Sequence, residues 1–155
     1  MLASAGCDMF VDSDVRGTRE AIIKYHNATR DYPESVVRIG DRYIAISAKN
    51  HRALLPVDQA ILDMQDEIYT KQYAPPGAIR GAFTGQGTVL TSEERPAIYG
   101  SLTPAEQAIL AQARRDIQFT IQQDSQRAGA GIERGFHQSE IFKRVLAEVK
   151  RSNGD

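Results

Sequence analysis

Between Val36 and Arg52 the chain reads VVRIGDRYIAISAKNHR and ends in a knot of lysine, asparagine, histidine and arginine. An imidazole beside several cations is the equipment for metal-independent chemistry on RNA or a nucleotide. The ring shuttles a proton, and the cations hold the oxyanion that develops at phosphorus. On that reading His51 is the general base, and Tyr43 is a further candidate catalytic residue. Arg38, Ser47, Lys49 and Arg52 are the substrate- or anion-binding groups. The reaction also needs an acid, and His137, in GFHQSE just ahead of the last helix, is the candidate. The competing expectation is plainer and is the one favoured here: these residues are the water-facing side of a small sheet whose other side is packed.

The remaining chemical groups carry weaker patterns. His26 falls four residues after Ile22 on the inner side of a helix and reads as a core or boundary residue. The three histidines show no zinc-ligand spacing, so no metal is expected. Cys7 is the single cysteine and forms no disulfide within the chain. Asp58, Asp63, Asp66 and Glu67 read as the solvated side of a helix, with a cation or a basic partner as the sharper alternative. The run GAIRGAFTGQG could wrap a phosphate with backbone N–H groups, but it lacks the Gly-Lys-Ser/Thr ending of a P-loop. Turn chemistry is the simpler expectation, and no cofactor is expected. Arg16, Ser47 and Glu94 stand in an Arg–Ser–Glu order that resembles the sparse signature of mono-ADP-ribosyltransferases. That likeness would imply a grip on a nicotinamide dinucleotide. It rests on three single residues with no contiguous block.

The elements that must position these residues follow from local patterns. Gly40-Asp41 is a two-residue hairpin signal of the glycine-first kind. It predicts a hairpin over 36–48 with Arg38 opposite Tyr43, Val37 opposite Ile44 and Val36 opposite Ala45. Alternation then puts Val37, Ile39, Ile44 and Ile46 on one side. The other side carries Arg38, Tyr43 and Ser47, and gains Lys49 and His51 if the strand continues. Residues 1–17 read as a short strand or extended arm, with Asp12, Ser13 and Asp14 leading to a helix cap.

Helices are expected over 18–30, 56–72, 103–126 and 139–151. Pro56 opens the second, and Thr103 with Glu106 forms a capping box for the third. Short strands are expected near 79–84 and 87–91, with a third at 97–99. The glycine-rich 127–135 segment is expected to link the last two helices as an antiparallel pair.

With 155 residues, 19 Lys plus Arg against 20 Asp plus Glu, and 41% hydrophobic residues, the chain is sized for one domain with an ordinary core. Near-neutral charge disfavours a DNA-coating role. No apolar run approaches the ~20 residues that span a bilayer, and no export signal is visible, so a cytoplasmic protein without a membrane partner is expected. The expected fold is a single α+β domain over 1–155, a small, mostly antiparallel sheet against about four helices. The expected function is a binding or regulatory module of bacterial or phage type, an accessory or effector domain with a protein partner. The alternative is the enzyme or toxin domain described above, acting on RNA or a nucleotide.

Overall fold

A computed structural model describes residues 2–81, 86–126 and 130–154; for 2–12, 86, 125–126 and 130–136 it describes the backbone alone. The fold is a small α+β one. Strands β1 (Ser35–Ile39) and β2 (Arg42–Ile46) pair antiparallel in the register that Gly40-Asp41 dictates, with Arg38 opposite Tyr43 and Val37 opposite Ile44. Gly40 takes φ +60, and a Cβ there would lie 2.0 Å from the Asp116 carboxylate, so only glycine lets the turn close and seat. Five α-helices surround the hairpin among the described residues: α1 (Leu2–Thr29), α2 (Pro56–Tyr73), α3 (Glu94–Gly100), α4 (Pro104–Gln126) and α5 (Ala130–Ser152).

These elements form three layers with the hairpin in the middle. On one side α2 and α4 pack together and against Ile39, Ile44 and Ile46 through Val57, Ile61, Met64, Ala113, Ile117 and Ile121. On the other side α1 and α5 pack together and against Val36, Tyr43 and Ala45 through Ile22, Ile141, Phe142, Val145 and Val149. Val36 is 8% exposed, as hidden as Ile46 at 7%. The favoured expectation of a water-facing side is therefore corrected. A two-stranded hairpin offers little surface of its own, and here both its sides are roofed by helices.

Further expectations are corrected. The arm expected over 1–17 is helical, because α1 begins at Leu2 and runs through Asp12, Ser13 and Asp14. Asp14 is not a cap; its carboxylate reaches across to the hairpin. The strands expected at 87–91 and 97–99 are absent. Residues 86–88 form a 3₁₀ turn, and 97–99 lie in α3. The strand expected at 79–84 does not appear at 79–81, and 82–84 lie outside the described residues. The reason is visible in the donors: the Gly81 and Leu90 N–H groups bond to the carboxylates of Asp66 and Asp63 instead of a ladder.

The last helix starts at Ala130 rather than 139, absorbing Gly131 and Gly135 at about 1 kcal/mol each; 127–129 lie outside the described residues. The C-terminal third is the expected two helices, but their close partners are α2 for α4 and α1 for α5 rather than each other. Capping does hold as expected: Thr103 and Glu106 exchange side-chain to backbone hydrogen bonds at 3.0 and 3.1 Å. Among the described residues no helix is long and apolar enough to cross a membrane.

Candidate functional site

The candidate cluster follows from how β2 ends. Strand geometry stops at Ile46, and Ser47–Arg52 folds into a compact turn. Its closing bonds are Ser47 N–H to Arg52 C=O (2.9 Å) and His51 N–H to Ser47 C=O (3.0 Å). The Ser47 hydroxyl oxygen accepts from the Lys49 N–H, and the Asn50 side-chain oxygen accepts from the Arg52 N–H. His51 sits at φ +55, a left-handed position that the turn imposes. Lys49 and His51 therefore do not continue the strand's alternation. They fan out from a loop.

Each cation of the cluster has a carboxylate partner inside the chain. Arg38 pairs with Asp14 of α1 and lies 3.7 Å from Asp41. Lys49 pairs with Asp31 at 2.9 Å, and that hydrogen bond holds its ammonium above the usual lysine range. Arg52 meets Glu94 with both guanidinium nitrogens, at 3.1 and 3.3 Å. Glu94 is held below the usual carboxylate range, first by the Thr91 backbone N–H and then by Arg52. His51 Nδ1 lies 2.5 Å from Glu34. Tyr43 donates to Asp14 at 2.8 Å, and burial, with that hydrogen bond second, pushes its phenol up to about 12. A phenol so disposed is a poor base at neutral pH. The cations are thus paired across segments of the chain, Lys49 and His51 in exposed ion pairs of the weak surface kind.

The two histidines are not brought together. His51 lies at the open end of the hairpin, against Glu34. His137 lines a cleft at the turn end, near Gly40. A five-residue strand, roughly 16 Å long, separates those ends. His26 stacks on Tyr32 at 4.4 Å between ring centroids, in keeping with a boundary position. Of the Arg–Ser–Glu trio, Ser47 and Glu94 come near each other through Arg52, while exposed Arg16 has no contact with either among the described residues.

The acidic side of α2 is where expectation and structure differ most. Asp63 and Asp66 are fully buried and Asp58 is nearly so. Asp63 accepts from Tyr99 (3.0 Å) and from the Leu90 N–H (2.9 Å), and pairs with Arg80 and with Arg95 (3.1 Å). Both Asp66 oxygens take the Gly81 N–H. Burial, with the Asp63 charge second, pushes the Tyr99 phenol up to about 12. Burial alone would raise Glu67, but Arg95 and Lys71 outweigh it and hold the carboxyl low. This is a strap: α2 carboxylates bind the segment from Arg80 to Tyr99 that covers them. Sequence reasoning missed Arg80, Arg95 and Tyr99. Two arginines in a glycine-rich stretch that follows a helix with acids three residues apart were the available signal. Among the described residues no group of three or more His, Cys, Asp or Glu is arranged to hold a metal ion.

An open cleft of ≈ 550 Å³ lies at the hairpin turn. Arg38, Asp116, Phe119, Gln123, His137 and Gln138 are among its lining residues. Phe119 is 59% exposed. Comparison of the chain with protein-family models, curated proteins and solved structures gave no match.

Proposed function

We propose that the chain is a small binding or regulatory module, an accessory or effector domain of bacterial or phage type, that acts by protein contact through the cleft at the hairpin turn. The observation that carries this reading is Phe119, a mostly exposed aromatic ring on the wall of a concave surface lined with amides and carboxylates. Aromatic anchors with a polar rim are what protein contacts use. Two features weigh against the enzyme reading: its candidate base and acid lie at opposite ends of the hairpin, and its cationic groups are paired with carboxylates of the chain itself. A cytoplasmic setting goes with the contact reading, since the single Cys7 asks for no oxidising compartment.

A photo-crosslinking amino acid in place of Phe119 tests it in cells. The expected outcome is an adduct with one protein of defined mass, lost when Asp116→Arg and Gln123→Arg fill the cleft. RNA cleavage by the purified chain that disappears in His51→Ala would contradict the reading.

A further inference from the structure

A second surface stands apart from the cleft, where α2 gives way to the sequence YAPPGAI, Tyr73–Ile79. Ala74 adopts φ −73 and ψ 142, the dihedrals of a polyproline II helix. Pro75 and Pro76 each bar the preceding residue from helical values and fix their own φ near −65°. The Ala78 N–H then donates to the Pro75 carbonyl at 3.1 Å, closing a turn in which Pro76 comes second and Gly77, at φ +88, third. That is the type II arrangement, whose second residue is itself close to polyproline II. Residues 74–76 thus make one turn of that helix, at three residues per turn, directly after Tyr73 at the end of α2.

The segment is presented to solvent. Tyr73 is 46% and Ile79 62% exposed, and Pro75, Pro76 and Gly77 are all exposed. The Tyr73 ring is steadied edge-on by Tyr69, with centroids 5.9 Å apart. Helix α2 on one side and the Arg80–Asp63 pair on the other anchor it at both ends. Its conformation is therefore set before any partner arrives, which removes most of the ordering cost of association.

We propose that Tyr73–Ile79 is a preformed ligand for a protein partner that reads polyproline II helices through an aromatic-lined groove. Such grooves hold proline-rich segments between aromatic rings and exploit a preformed polyproline II helix. The segment supplies two adjacent prolines, a flanking tyrosine and a flanking isoleucine, with no charged residue between Lys71 and Arg80. This inference does not depend on the cleft, whose lining does not include these residues.

The test titrates the full chain into purified SH3 and WW domains, one at a time, following the tryptophan fluorescence of the domain's groove. The chain contains no tryptophan, so the signal belongs to the probe alone. The expected result is a saturable change with at least one domain. Tyr73→Ala should weaken it roughly tenfold or more, the double variant Pro75→Ser/Pro76→Ser should abolish it, and Ile23→Ala, an exposed apolar change elsewhere, should bind as wild type. Tyr73→Ala leaves both prolines in place, so it reports even if the double variant lets α2 lengthen. Three results would overturn the proposal: no saturable change with any domain, binding indifferent to both variants, or a dimer of the chain that Tyr73→Ala disperses. None of these outcomes bears on the cross-link from position 119.

Discussion

Arg38 and Tyr43 stand directly opposite each other across the hairpin, and both close on one carboxylate from another layer, Asp14 of α1. The Arg38 guanidinium lies 5.6 Å from the centre of the Tyr43 ring. Arg38, Tyr43 and Asp14 thus make a three-part clasp between α1 and the sheet. Removing Arg38 with Arg38→Ala should lower stability by about 1 kcal/mol, the modest figure suited to a pair that is one-third exposed. Thermal melts of Arg38→Ala, Asp14→Asn and the double variant would check it: the two losses should be clearly less than additive.

The tyrosines give the clasp a pH signature. Tyr43 and Tyr99 both ionise near 12, against about 10 for a free phenol. Folding therefore favours their neutral forms. That contribution is fully present below pH 10 and is lost as the pH rises through 12. Absorbance titration of tyrosinate should show a late step among the six tyrosines, and Tyr43→Phe and Tyr99→Phe should each remove part of it. A single transition near 10 for all six would be the contrary result.

Covering both sides of the hairpin predicts symmetric sensitivity. Val36→Asp and Ile44→Asp each place a charge among apolar groups, and each should cost about 3 kcal/mol or more. Chemical denaturation decides this. A tolerated Val36→Asp beside a damaging Ile44→Asp would restore the picture of a sheet with one wet side.

Gly17 makes a prediction against helix propensity. Within α1 an alanine would ordinarily gain up to ~1 kcal/mol. A Cβ here would lie 2.2 Å from the Tyr43 ring, so Gly17→Ala should be net destabilising by about 1–3 kcal/mol. A raised melting temperature would show that α1 does not approach β2 so closely.

The strap on α2 separates two acids that look alike in sequence. Asp63→Ala removes the fully buried carboxylate on which Arg80, Arg95, the Tyr99 hydroxyl and the Leu90 N–H converge, and should cost about 3–5 kcal/mol. Glu67→Ala, at a site one-third exposed, should cost under about 1 kcal/mol. Equal and small effects of the two would mean that the acidic side of α2 is solvated after all.

Local rules carried the expectations that came true. The Gly40-Asp41 turn set the register, and Pro56 and the Thr103–Glu106 pair set helix starts. What local rules do not contain is which layer covers a given side. Arg38, Tyr43 and Lys49 look like solvated residues because the carboxylates that hydrogen-bond them are remote in sequence. Their partners, Asp14 and Asp31, lie 18 or more positions away. The same blindness turned the acids of α2 into a solvated face, since Arg80 and Arg95 reach them only through the chain's return. In the segment 79–91, β-branched and aromatic residues suggested strands, but donors captured by Asp63 and Asp66 cannot also form a ladder. Glycines 131 and 135 suggested a break, yet α5 continues through them, where the side chains that follow, from Ile141 to Val149, dock on α1 and β1.

The most direct measurement is a titration of the isotope-labelled chain with a ribodinucleotide, following the NMR signals of the Arg38, Lys49, His51 and Arg52 side chains. If these groups are held by Asp14, Asp31, Glu34 and Glu94, the signals stay put up to millimolar ligand. Saturable shifts that converge on all four residues, and vanish in Lys49→Gln, would show that the cluster binds phosphate and would contradict the reading of it as an internal clasp.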